Sequence, residues 1–172
     1  MLVEGGLMVG LAVVLGEFVK LFEMPMGGSV TAGSMVPLFL YAYRWGAKQG
    51  IFAGIVYGIL DLIIGGVYSL HPVSLIFDYP VAYGILGIAG FFKKTPLGLI
   101  GGVFAGIFGR FASHTFSGVV AYASYAPKGQ SPLVYSILYN GSYLLPEFVI
   151  TVVLTVLLLK FVRLPEPKKA EA

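Results

Sequence analysis

The sequence contains no cysteine and few charged side chains. Of its 172 residues, 11% are charged and 58% are hydrophobic, whereas soluble domains carry about 25% charged residues. The lack of cysteine excludes a disulfide framework and a thiolate metal site. The net charge of +3 is too small to indicate nucleic-acid binding. We therefore predict one membrane-embedded domain over residues 1–172, with a polar cytoplasmic tail at 163–172.

Motifs for nucleotide hydrolysis and zinc catalysis are also missing. There is no Walker glycine loop, and the two histidines are 43 positions apart, which excludes a zinc-binding pair on one helix. We therefore expect a protein that is not an enzyme and has no cofactor or metal site. One enzymatic alternative stays open, an intramembrane hydrolase that uses Asp61, Asp78 and His114.

Long apolar runs predict an all-α membrane protein with six transmembrane helices. They cover residues 3–22, 32–43, 46–66, 72–92, 96–122 and 132–162. About 20 residues span the hydrocarbon of a bilayer, so the second helix is short. Eight of the eleven lysines and arginines fall at one end of these helices. The positive-inside rule makes that end cytoplasmic and places both termini there.

Glycines recur every four residues on two of the predicted helices. The third helix carries Gly46, Gly50, Gly54 and Gly58, and the fifth has the same spacing from Gly98 to Gly106. Such rows let helix backbones approach closely in lipid, so we expect them to pack inside the bundle. Gly6 and Gly10 form a similar pair on the first helix, which could instead face a second membrane protein.

Four predicted helices place a polar residue at a similar depth below the outer membrane surface. These residues are Asp61, Asp78, His114 and Asn140. Six tyrosines lie near the same level, at positions 68, 79, 83, 122, 135 and 139. A polar cluster walled by aromatic rings suits a small, flat, partly cationic ligand. For any single tyrosine the alternative is an interfacial anchor.

Asp78 is the central candidate in this cluster. A charged side chain costs about 3 kcal/mol or more at the centre of a bilayer, so a retained carboxylate there indicates function. The alternative is that Asp78 caps a helix that begins at Pro80. Deeper in the bundle, Arg110 and Glu147 would each be costly alone, and we expect them to form a mutual ion pair.

Five segments of the sequence together resemble a known family. They are MPMGGSVT at 24–31, HPV at 71–73, DYPVAY at 78–83, GRFASH at 109–114 and YNGSYLLPE at 139–147. In combination they resemble the thiamine-specific substrate-binding subunit, or S-component, of energy-coupling factor transporters. This chain departs from family members that carry tryptophan near the pocket, because its one tryptophan is Trp45. It also has Asp78 where some members have glutamate.

The resemblance implies a protein of the prokaryotic plasma membrane that captures thiamine from outside. It implies substrate-binding roles for Asp78, Tyr79, His114, Tyr122, Tyr135 and Asn140, with Tyr68 at the rim and residues 24–31 as a lid. It also implies docking through Gly6 and Gly10 on a transmembrane coupling protein that two cytoplasmic ATPases drive. Capture of a related aminopyrimidine or thiazole compound is the alternative within the same class.

Overall fold

The computed structural model describes residues 1–161, and this part of the chain is mainly helical. The α-helices are α1 (Leu2–Phe18), α2 (Val36–Trp45), α3 (Ala47–Ile64), α4 (Pro72–Phe77), α5 (Pro80–Leu86), α6 (Pro96–Ala121) and α7 (Pro132–Phe161). Two strands, β1 (Lys20–Glu23) and β2 (Ser29–Thr31), lie between α1 and α2. Short 3₁₀ helices follow at Gly87–Phe91 and Ala123–Tyr125. The predicted tail at 163–172 and the end of the sixth predicted helix lie outside the described residues.

Four helical segments are long and apolar enough to cross a membrane. Within the described residues these are Ala47–Ile64, Pro72–Phe91, Pro96–Ala121 and Pro132–Phe161. The helix α1 has 17 residues and α2 has 10. Helices thus occur in all six predicted regions, although α1 and α2 are not among the four described segments that are long and apolar enough to span. The second is short, as its sequence indicated, and begins at Val36 and not at residue 32.

The fourth predicted helix is divided at the residues of greatest interest. Helix α4 ends at Phe77, and α5 begins at Pro80. Proline has no N–H to continue a helix and disfavours helical geometry in the residue before it. Tyr79 accordingly has φ −116° and ψ −90°. Asp78 keeps the last helical hydrogen bond of α4, from its N–H to the Ser74 carbonyl oxygen, and the break falls at Tyr79.

The glycine row on α3 packs inside the bundle, as predicted. An added Cβ at Gly54 would lie 2.2 Å from the carbonyl oxygen of Tyr83, and one at Gly58 would lie 2.5 Å from that of Tyr79. Helix α3 therefore lies directly against the backbone of α5. This close approach fixes the positions of the two tyrosines.

The end of the first predicted helix is wrong, because a β-hairpin begins where the helix was expected to continue. Strand β1 pairs antiparallel with β2, with Lys20 opposite Thr31 and Glu23 opposite Ser29. Gly27, in the turn between the strands, has φ +87°, a backbone conformation that residues other than glycine rarely adopt. Residues 19–22 are too few for their hydropathy to distinguish a strand from a last helical turn.

Candidate ligand-binding site

One cavity collects all seven residues proposed from the sequence. Its volume is about 120 Å³. Asp78, Tyr79, His114, Tyr122, Tyr135, Asn140 and Tyr68 all line it. The helices α1, α3, α5, α6 and α7, the β-hairpin and the α3–α4 loop contribute to its wall. The residues that the sequence placed at a similar depth below the outer membrane surface therefore line the same cavity.

Asp78 accepts hydrogen bonds from three side chains. Its Oδ2 accepts from Ser74 Oγ and from Ser117 Oγ, each at 2.7 Å. Its Oδ1 lies 3.0 Å from His114 Nδ1. The side chain that follows it at the start of α5 makes no capping bond. The Asp78 side chain thus bonds Ser74, Ser117 and His114 and no backbone N–H at the start of α5, so the structure does not support the helix-cap interpretation.

The partners of His114 define its tautomer. Arginine is always a donor, so Arg110 Nε–H donates to His114 Nε2 at 3.0 Å. The ring hydrogen is then on Nδ1 and is donated to Asp78. The imidazole is neutral, and both of its nitrogens are engaged. No ring nitrogen is left to activate a water molecule, which the hydrolase alternative would need.

Arg110 and Glu147 both line the cavity, but the predicted ion pair between them is wrong. Among the described residues no salt bridge joins them. Arg110 Nη2 donates to the Tyr83 hydroxyl at 3.0 Å, and its Nη1 lies 3.1 Å from the sulfur of Met35. The guanidinium also lies 4.3 Å from the centre of the Tyr83 ring. Aromatic and neutral partners thus stabilise this charge.

Glu147 is bound to the hairpin. Its Oε1 accepts hydrogen bonds from both the backbone N–H and the hydroxyl of Thr31. The Thr31 hydroxyl is also close to Ser34 Oγ, at 2.9 Å. Glu147 Oε2 is buried and has no hydrogen-bond partner within the described residues. The sequence could not show this role, because Thr31 belongs to a strand that its hydropathy did not reveal.

The cavity wall carries more acidic than basic groups. Four carboxyl groups line it against two basic side chains, namely Glu17, Asp61, Asp78 and Glu147 against Lys20 and Arg110. With these groups ionised and His114 neutral, the wall has an excess of two negative charges. An excess of carboxyl groups in a low-dielectric cavity is complementary to positive charge.

Tyr139 fixes the turn of the hairpin over the cavity. Its hydroxyl oxygen accepts from the backbone N–H groups of Met26, at 3.1 Å, and Gly28, at 3.3 Å. A Cβ on Gly28 would lie 2.6 Å from the Tyr143 ring, so only glycine allows this approach. The segment 24–31 therefore covers one side of the cavity in the position of a lid.

Tyr68 lies at the rim and closes against the same turn. It is 45% exposed, and its ring would be 2.3 Å from a Cβ on Gly27. Its hydroxyl donates to Glu23 Oε1 at 3.2 Å. Partial burial and this carboxylate raise the pKa of Tyr68, so the hydroxyl stays protonated and continues to donate at neutral pH.

Ser117, which contacts Asp78 from outside the cavity wall, follows Arg110 and His114 at the helical spacing of four and three residues on α6. Ser136 and Tyr143, the two cavity residues of α7 that were missed, follow the same rule with Asn140 and Glu147. Asn140 itself donates to Ser136 and accepts from the Tyr143 hydroxyl at 2.9 Å. Glu17 had no such signal, because only tertiary packing brings α1 to this wall.

The sequence matches the family model described as "Thiamine transporter protein (Thia_YuaJ)" over residues 2–165. The chain belongs to this family. It is 37% identical to the thiamine transporter ThiT of Bacillus subtilis (strain 168), an alignment that covers 99% of this chain and 94% of that protein. It is 36% identical to the thiamine transporter ThiT of Lacticaseibacillus paracasei, over 73% of this chain and 70% of that protein.

A solved structure supports the same assignment. The fold is similar to that of ThiT from Listeria monocytogenes, with a TM-score of 0.82 and 26% identity over 94% of this chain and 93% of that one. The S-component fold predicted from the sequence is therefore confirmed. As a member of the thiamine transporter family, the chain is a multi-pass protein of the prokaryotic plasma membrane and a transport protein, not an enzyme.

Proposed function

We propose that this chain binds thiamine in the cavity described above and is the substrate-binding subunit of an energy-coupling factor importer. The observation that carries the proposal is a tyrosine-walled cavity with an excess of acidic groups, covered by the hairpin. Thiamine combines a flat aminopyrimidine with a positively charged thiazolium ring. Aromatic walls and a net negative field are complementary to both parts. The relatives named as thiamine transporters support the same ligand.

The ligand contacts that we propose are those of the seven cavity residues that the sequence analysis put forward. Asp78 would accept from the aminopyrimidine or compensate the thiazolium, and Tyr79, Tyr122, Tyr135 and Tyr68 would enclose the rings. His114 would face the ligand with its ring while its nitrogens hold Arg110 and Asp78, and Asn140 would hold a polar edge. The ligand would enter from the outside, with the hairpin opening and closing over it.

Transport would need partners that supply energy, because no nucleotide-binding motif occurs in this sequence. We propose that α1 docks on a transmembrane coupling protein driven by two cytoplasmic ATPases. Gly6 and Gly10 are both exposed, and a Cβ added to either would meet no atom within 4 Å. They leave a flat strip on α1 where another helix backbone could approach closely.

Calorimetric titration of the purified chain against a panel of vitamins tests the proposal. Thiamine is expected to bind with nanomolar affinity, with no chemical change to the ligand. The isolated aminopyrimidine and thiazole halves are expected to bind more weakly, because each fills only part of the cavity. Tighter binding of either half than of thiamine would favour capture of a precursor. Absence of thiamine binding would contradict the proposal.

A further inference from the structure

Two serines hold Asp78 from the side away from the cavity. Ser74 on α4 and Ser117 on α6 are both fully buried, at 0% exposure. Neither belongs to the cavity wall formed by the described residues, yet each places its Oγ 2.7 Å from Asp78 Oδ2. They come from different helices and converge on one oxygen. Such a pair fixes the orientation of the carboxylate plane without contacting a ligand.

The direction of these hydrogen bonds follows from the number of hydrogens available. Ser74 has one hydroxyl hydrogen, and an ionised carboxylate can only accept, so Ser74 donates to Asp78. The Tyr122 hydroxyl lies 3.1 Å from the same Ser74 Oγ. Tyr122 must therefore be the donor of that second bond. Its only hydroxyl hydrogen is committed to Ser74 and is not available to a ligand.

The third donor completes a one-directional network. His114 donates from Nδ1 to Asp78 Oδ1, because Arg110 occupies its other nitrogen. Ser74, Ser117 and His114 thus donate their hydrogens to Asp78, and Tyr122 donates its hydrogen to Ser74. Toward a ligand, the Tyr122 hydroxyl therefore offers only lone pairs. A ligand group bound here has to bring its own N–H or O–H hydrogens. A ligand carbonyl oxygen in the same place would face the lone pairs of Asp78 and Tyr122. It would donate no hydrogen bond to the carboxylate, which is unfavourable in a buried site.

We infer that Ser74 and Ser117 are positioning residues that set specificity for an N–H donor at this end of the cavity. The inference rests on the proposed function and assigns this end to the exocyclic amino group of the aminopyrimidine. The serines orient the Asp78 carboxylate so that one of its lone pairs, which accepts no bond from the protein, faces the cavity. Without one of them the carboxylate can turn, and a ligand that offers an acceptor is rejected less strongly.

The test compares thiamine with oxythiamine, in which a carbonyl oxygen replaces the exocyclic amino group. Both ligands are titrated into the full chain and into Ser74→Ala and Ser117→Ala. The matched control is Ser113→Ala, since Ser113 is also a buried α6 serine but donates to the Phe77 carbonyl oxygen. If an alanine variant does not fold, Ser117→Cys keeps a hydrogen-bond donor at the position, although a weaker one.

The native chain is expected to prefer thiamine by about a hundredfold or more, because a site built to accept N–H hydrogens strongly rejects an analogue that lacks them. Ser74→Ala and Ser117→Ala are each expected to reduce that ratio about tenfold, from the loss of one charged hydrogen bond. Ser113→Ala should leave the ratio unchanged. A ratio that stays constant in the Ser74 and Ser117 variants while thiamine still binds would overturn the inference alone. Failure of the native chain to bind thiamine would overturn the proposed function, and this inference with it.

Discussion

Glu147 on α7 accepts two hydrogen bonds from Thr31 on β2, which lies 116 positions earlier in the chain. The bond from the Thr31 hydroxyl is 2.7 Å long, and the backbone N–H of the same residue supplies the other. Glu147 is only 1% exposed. One carboxylate therefore ties the strand that ends the hairpin to the helix that carries Tyr139 and Asn140.

Replacing this carboxylate should loosen the hairpin. Hydrogen bonds to charged groups contribute about 1.5–3 kcal/mol, against about 0.5–1.5 kcal/mol for neutral ones. Glu147→Gln is therefore expected to speed amide hydrogen exchange across residues 24–31 by about tenfold. Glu4→Gln is the control, because Glu4 pairs with Arg44 at 2.9 Å at the other end of α1. Equal exchange in the Glu147 variant and the native chain would show that the hairpin is held by its other contacts.

The Tyr139 hydroxyl should slow release of the ligand. In Tyr139→Phe the N–H groups of Met26 and Gly28 lose their common acceptor. Each of the two lost neutral hydrogen bonds is worth about 1 kcal/mol, so thiamine should dissociate about thirtyfold faster. The association rate should change little, since the cavity wall is otherwise intact. Stopped-flow fluorescence measures both rates, and Tyr125→Phe is a control on a tyrosine that is 53% exposed. An unchanged dissociation rate would show that the Tyr139 hydroxyl does not help to keep the cavity closed.

The helices and the depth of their polar residues could be predicted because a bilayer imposes strong rules on hydropathy and length. Asp78, His114 and Asn140 stood out because a polar group is rare in an apolar run. The four-residue spacing of glycines predicted that Gly54 and Gly58 pack inside the bundle, and the structure adds that they face α5.

What could not be predicted depends on tertiary contacts. The strand β1 has four residues, too few for a periodic pattern, and its pairing with β2 is made across a glycine turn. The ion pair between Arg110 and Glu147 was expected from charge and depth alone. Which partner each charge takes depends on side-chain direction, and Tyr83 and Thr31 fill the positions that the ion pair would have needed.

Bulk on the exposed strip of α1 should block transport without affecting capture of the ligand. In the double variant Gly6→Trp with Gly10→Trp, the purified chain is expected to keep its native thiamine affinity, because both positions face open space. Assembly with the coupling protein and uptake into cells should be lost. Gly141→Trp is the matched control, since its Cβ would also meet no atom within 4 Å but lies on α7. Normal uptake by the double variant would mean that another surface makes the contact.

The measurement that tests the account most directly is the thiamine affinity of Asp78→Asn, determined by calorimetric titration beside the native chain and Asp61→Asn. Both variants remove one negative charge from the cavity wall, but only the first removes the carboxylate that three donors hold in place. Losing a buried charged hydrogen bond costs about 2–5 kcal/mol, so Asp78→Asn should bind thiamine well over tenfold more weakly, with a smaller loss for Asp61→Asn. Native affinity in Asp78→Asn would contradict the account, because the ligand would then not depend on the group around which the site is built.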